Sequence, residues 1–240
     1  VLKSWSIGDE PTPVEIVDNK VYLFVGNKLT LSAVDNSGGV GVESSEYKIY
    51  KPSDLEPIEF TKYIGEIPIL DLYANYNLKY RSYDFVKNYE LEHFVEINPF
   101  NTPLGTNVSV DLGLVAGTEI KTIFKTVTAL GLTKVDTVET VTPALPLSYE
   151  LLGKYYDITT TAGFSETVKI SMSNYAISVS SRLLHLEGGI WKDVTTTVDI
   201  VNHIIYGEVA SVSYFAIANV KDIVPPETTI SIGEPKYVTA

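Results

Sequence analysis

Hydrophobic and polar residues alternate with a period of two along much of the chain. In residues 28–34, Leu29, Leu31 and Ala33 fall on one side and Lys28, Thr30 and Ser32 on the other. That pattern predicts a strand with one face against a core. Residues 21–25 form a short apolar run closed by Gly26-Asn27, and residues 46–50, 78–84 and 92–97 read as further strands. Asp35-Asn36-Ser37-Gly38-Gly39 is a dense turn signal, and residues 51–77, with Pro52, Pro57 and Pro68, predict loop with short strands. About six or seven strands in about ninety residues is the size of an immunoglobulin-like sandwich.

Residues 98–105 carry Pro99, Pro103 and Gly105, which predicts a linker because prolines and glycine interrupt a ladder. Strands resume at 107–112, 119–127, 148–152, 156–161, 167–171, 182–187 and 204–218, with Gly188-Gly189 as a hairpin turn between Leu186 and Trp191. Residues 132–141 alternate poorly and are left unassigned. The expected fold is all-β: two tandem antiparallel β-sandwich domains. Residues 1–97 form the first, immunoglobulin-like one, 98–105 a linker, 106–221 the second, and 222–240 a linker and the start of a following repeat. That last expectation rests on an echo. Ser6-Ile7-Gly8-Asp9-Glu10-Pro11 returns as Ser231-Ile232-Gly233-Glu234-Pro235, 225 positions on and one residue shorter. The chain starts at Val1 without Met, so a processed product or an excised piece is expected.

Composition supports the strand reading. Tyr contributes 16 residues, and Gly 16 and Pro 12 are spread through the chain. This mix suits pleated, half-buried surfaces and makes poor helices. Lys and Arg total 18 against 30 Asp and Glu, a net charge of −12. Such a chain repels nucleic-acid backbones and anionic membranes. No run of 18 apolar residues occurs, so no membrane-spanning helix is expected. Cysteine is absent, which removes disulfides, thiolate zinc sites and a Cys nucleophile.

Several segments resemble known modules. Residues 31–42, Leu-Ser-Ala-Val-Asp-Asn-Ser-Gly-Gly-Val-Gly-Val, with Glu46-Tyr47-Lys48-Ile49 and Leu78-Lys79-Tyr80-Arg81-Ser82-Tyr83-Asp84, resemble bacterial and archaeal Ig-like extracellular surface repeats. The chain departs from that pattern at Phe85-Val86-Lys87-Asn88, where an Asn/Gly pair is usual. Residues 155–162, 182–186, 191–195 and 207–209 resemble a β-sandwich module of large microbial extracellular proteins. The resemblance implies architecture and a surface setting, as spacer, stalk, lattice unit or adhesin arm, and no activity.

Chemistry is weakly signalled. His93, His185 and His203 show no metal-ligand spacing, and His185, between Leu184 and Leu186, is expected to face solvent opposite them. There is no G-x-S-x-G and no G-x-G-x-x-G. Paired carboxylates of a glycosidase are not identifiable by spacing. Trp191 fits a sandwich core or a stacking platform for sugars. Asn107-Val108-Ser109 is a glycosylation sequon.

The sharpest candidate is calcium. Asp35 and Asn36 offer hard oxygen ligands at a strand end, and Glu46 or Asp84 (or Glu43) would complete the shell. The same residues also suit an Asx turn, in which Asp35 or Asn36 bonds its own backbone. Calcium is the one cofactor suggested, and none is required.

The expected function is a non-catalytic structural module of a cell-surface, surface-layer (S-layer) or extracellular filament protein, a spacer and assembly unit. The alternative is a carbohydrate-binding or adhesive accessory module of a large secreted protein. The expected partners are neighbouring copies, other surface proteins or glycans.

Overall fold

A computed structural model of the chain describes residues 1–6, 9–69, 71 and 73–221. Residues 222–240, and Ile7 and Gly8 of the first echo, lie outside them. Among the described residues there are 18 strands and no helix. They are β1 (Leu2–Trp5), β2 (Thr12–Pro13), β3 (Lys20–Phe24), β4 (Lys28–Leu31), β5 (Val42–Tyr50), β6 (Thr61–Lys62), β7 (Tyr76–Asp84), β8 (His93–Phe100) and β9 (Gly105–Val115). There follow β10 (Thr118–Ala129), β11 (Thr133–Val138), β12 (Tyr149–Thr160), β13 (Gly163–Ser173), β14 (Ser181–Glu187), β15 (Ile190–Asp193), β16 (Thr195–Asp199), β17 (Ile204–Val209) and β18 (Tyr214–Val220). Among the described residues, no helix is long and apolar enough to cross a membrane.

The strands form four sheets, in the orders β2-β1-β4, β3-β8-β7-β5-β6, β16-β17-β13-β10-β9 and β11-β12-β18-β14-β15. All their pairings are antiparallel except β3 with β8, which run parallel. Parallel neighbours need a long crossover, and here β4 to β7 lie between the two strands in sequence.

Residues 98–105 do not all form a linker. The β3–β8 ladder continues through Leu23↔Pro99 to Phe24↔Phe100, and the Val25 amide donates to the Phe100 carbonyl (2.7 Å). The polar groups of Phe100 therefore face β3, and those of Pro99 face the other side. There the β7 ladder has already ended at Tyr76↔Ile97, so the missing proline N–H has no acceptor to serve.

Two predicted strands, 148–152 and 156–161, are one strand, β12. Gly153 sits between them at φ +90, where the register with β18 shifts between Leu151 and Tyr155. A bulge at glycine breaks the period of two without ending the strand. The Gly188-Gly189 hairpin is present, with Leu186 opposite Trp191. Residues 133–138 of the unassigned stretch pair with β12 as β11.

Buried apolar side chains gather in three clusters. One draws on residues between Leu2 and Ile97 and joins β1 and β4 to β3, β5, β7 and β8. The second lies between the sheets of β10 and β18, with Phe124, Tyr156, Ile170, Leu183, Phe215 and Ile217 at its centre. The third lies on the opposite face of β14 and β18, where Tyr155, Leu184, Trp191, Ala216 and Ala218 pack under Val138, Val141 and Leu145. The sheet of β18 is thus covered on both faces, which explains the unbroken run Phe215-Ala216-Ile217-Ala218.

Double covering also overturns the expectation for His185. It does point away from Leu184 and Leu186, but that side is core. His185 is 1 % exposed and stacks on Phe215, ring centroids 4.5 Å apart.

Candidate functional site

The turn Asp35–Gly39 and the turn Asp84–Asn88 face a common groove of about 840 Å³, lined in part by Val34, Asp35, Tyr80, Asp84, Glu90 and His93. The first turn is locked by its own carboxylate. Asp35 Oδ1 accepts the Asn36 amide at 2.9 Å and Oδ2 accepts the Gly41 amide at 2.6 Å. A Cβ at Gly39 would fall 2.1 Å from Asp35 Oδ2, so a side chain there would have to displace this carboxylate from its amide partners. Gly38 and Gly41 both take positive φ, 85° and 94°.

Asp84 ends β7 in the same manner. Its Oδ1 accepts the amides of Val86 (2.9 Å) and Asn88 (2.8 Å), and its Oδ2 accepts Asn88 Nδ2 (2.8 Å). These bonds, the Asn88 amide foremost, hold the Asp84 carboxyl below the ordinary aspartate range.

Of the four residues suggested for calcium, Asp35, Asn36 and Asp84 line this groove, and Glu46 does not. Glu46 accepts Arg81 Nε at 2.5 Å. The Arg81 guanidinium in turn lies over the rings of Phe60 (4.1 Å) and Tyr89 (4.5 Å). Among the described residues no group of three or more His, Asp or Glu is placed to hold a metal ion. Both aspartates are engaged by backbone amides, as an Asx turn requires.

Other polar groups of the groove meet in pairs. Ser45 Oγ and Ser82 Oγ share a hydrogen bond of 2.7 Å. His93 stacks on Tyr80 (5.0 Å between centroids) and stands 3.6 Å from Glu90. Burial, with the Glu90 charge second, raises the Tyr80 phenol above its usual value. Neither serine is hydrogen-bonded to a base, the arrangement that activates a hydroxyl nucleophile.

The remaining chemical candidates lie apart from the groove. His185 Nε2 is 3.0 Å from Ser213 Oγ, whose hydroxyl donates to the Leu186 carbonyl (2.6 Å). Burial lowers its pKa and keeps the imidazole neutral. Trp191 is buried in the third cluster, and its Nε1 donates to the Pro143 carbonyl at 2.8 Å. One carboxylate pair does meet across strands, Asp136 opposite Asp157 on β11 and β12. Burial and then Asp136 raise the Asp157 carboxyl, while Lys134 Nζ sits 2.9 Å from Asp136. Asn107 is exposed at φ +53 beside a shallow hollow floored by Ile123 and rimmed by Lys125 and Lys169.

Two features escaped the sequence reading. The first is the Phe60–Arg81–Tyr89 stack, which joins residues from three segments and has no local signal. The second is an aromatic row on the outer face of β3 and β8. Tyr22 and Phe24 are exposed where Val21 and Leu23 are buried, and Phe24 meets Phe100 edge-on at 5.3 Å. Alternation carried this signal, since aromatics stand there at the polar positions of the strand. Comparison with known proteins found no matching family model, no matching curated protein and no matching solved structure.

Proposed function

We propose that this chain is a non-catalytic structural segment of an extracellular, cell-surface or surface-layer assembly, acting as spacer and assembly unit. On this reading it comprises two tandem β-sandwich units, the first immunoglobulin-like, and works by resisting unfolding and setting reach. One observation carries it: the side chains richest in chemistry are consumed by the fold. His185 and Trp191 are packed into cores, and Asp35 and Asp84 tie down turns. Stacked antiparallel ladders sharing buried cores suit mechanical work.

Pulling a chain tethered at both ends tests this. Two separate unfolding events are expected, releasing about 33 nm and about 39 nm at ~3.4 Å per residue. A single event releasing the whole length at low force would reject the tandem design. Calcium between Asp35, Asn36 and Asp84 is the cofactor this role admits. A titration that releases no heat and leaves the melting temperature unchanged would remove it.

The exposed row of Tyr22, Phe24 and Phe94 favours a second reading, a carbohydrate-binding or adhesive module. Aromatic faces stack on sugar rings, and a sheet face displays them in register. Glycan-array binding that disappears in the Tyr22→Ala, Phe24→Ala double variant would support it. A wild-type chain that binds no glycan would dismiss it.

A further inference from the structure

The described chain ends at Lys221, whose amide donates to the Ser148 carbonyl, while the Val220 amide donates to Ser180. The loops around this point expose large apolar side chains. Leu114, Leu147, Tyr175, Val179 and Val201 are each between 73 and 92 % exposed. Hydrogen bonds place the loops that carry them at one end of the two sheets. Asn174 bonds Gly117 and Thr118 at the β9–β10 hairpin, and its amide donates to His203. The Tyr175 ring lies 5.8 Å from that of His203, beside the turn bearing Val201. Leu147 adjoins Ser148, and Val179 adjoins Ser180. Leu147 and Val179 thus flank the chain exit, with Leu114, Tyr175 and Val201 at the same end of the sheets, which is more than scattered surface apolarity.

The groove described above presents the complementary surface at the other extreme of the sequence. Val1 lines it, together with Val34, Val40, Val86 and Tyr89. Val86 belongs to the second of the two turns, Val34, Val40 and Tyr89 flank the turns, and Val34 is 88 % exposed. The echo of Ser6 at Ser231 puts Pro226 in the position of Val1. Lys221 and Pro226 are five residues apart, so they can be separated by at most about 18 Å. In a chain whose next unit repeats this one, the groove of that unit is therefore held near this apolar end. A tether this short gives a millimolar effective concentration, at which weak apolar contact suffices.

We infer that the apolar patch at the Lys221 end docks into the groove of a following copy of the same fold, with Tyr175 and Val179 as the inserted side chains. The interface is heterologous, so successive copies stack in a line and do not close in pairs. The inference rests on the tandem-repeat reading and adds a rigid joint to it.

The absence of cysteine makes the test clean. Two copies are joined at the 225-residue period, with Val179→Cys in the first and Val34→Cys in the second. Under mild oxidation an intrachain disulfide is expected to form at least tenfold faster than in the same chain carrying Tyr175→Asp and Val201→Asp in the first copy. All these positions are exposed, and unchanged melting curves will confirm that the copies fold. Equal cross-linking rates with and without the two aspartates overturn the docking, because a loose tether alone would then account for contact. The tandem reading fails separately, if flanking sequence shows no further Ser-Ile-Gly-Glu-Pro segment at this spacing.

Discussion

Two histidines in this chain stack on aromatic rings at nearly the same distance, with opposite consequences. His93 lies 5.0 Å from Tyr80 and remains exposed, its ring beside Glu90. His185 lies 4.5 Å from Phe215 and is sealed in the core. The difference belongs to where each stands on its strand: His93 shares the core face of β8 with Val95 and Ile97, but it opens the strand, where the groove admits water. The sheet of β14 and β18 is packed on both faces, by β10 and β13 on one side and by the segment around Val141 and Leu145 on the other. The sheet of β3, β8 and β7 has its buried cluster on the face that His93 joins at the edge of the groove. Its outer face carries aromatics and ion pairs such as Lys79–Glu56 (2.8 Å) and Arg81–Glu46 (2.5 Å). A stacked imidazole is therefore a neutral core group in one place and a solvated rim group in the other.

The largest test of this contrast is Trp191→Ala. It empties a covered face and orphans the Pro143 carbonyl, and is expected to cost about 3–5 kcal/mol in urea unfolding followed by circular dichroism. A loss below about 1 kcal/mol would mean that the face is not sealed.

Next comes acid. The folded His185 pKa is lowered from 6.5, so below pH 6.5 the unfolded chain takes up a proton that the folded chain refuses. The stability that His185 contributes is full above pH 6.5. It is lost as pH falls from there towards the folded value. His185→Gln should flatten the pH dependence of the melting temperature just below 6.5.

Arg81→Met, which removes the charge between Phe60 and Tyr89, is expected to cost about 1–2 kcal/mol. Part of that loss should vanish in 1 M salt, where exposed pairs are screened. A loss identical at both salt concentrations would show the contacts to be packing alone. The smallest effect is expected for Tyr22→Ser, within about 0.5 kcal/mol of wild type, since that ring lies on the open face. A larger loss would show that the aromatic row supports the sheet.

Period-two alternation made β4, β5 and β7 legible, because each has one wet and one dry face. It misplaced His185 for the same reason: alternation reports that neighbours point apart, not that one of the directions is water. Pro99 misled in another way. Its lost N–H matters only where a neighbouring strand waits for it, and β7 stops short. The turn at Asp35 was readable from its dense Asp, Asn and Gly, and those residues do converge with Asp84 on one groove. Glu46 was not separable from them by sequence, since its partner Arg81 lies 35 positions away.

The sequence by itself determined that this chain folds from strands, because β-branched and aromatic residues alternate with polar ones between glycine and proline breaks. It also determined the local turns, where side chains bond their own backbone within a few residues. Only the tertiary structure decided which faces are covered, that β3 runs parallel to β8, and which histidine is dry. Those outcomes depend on contacts between segments far apart in the chain, and a periodicity read within one strand carries no information about what packs on its far side.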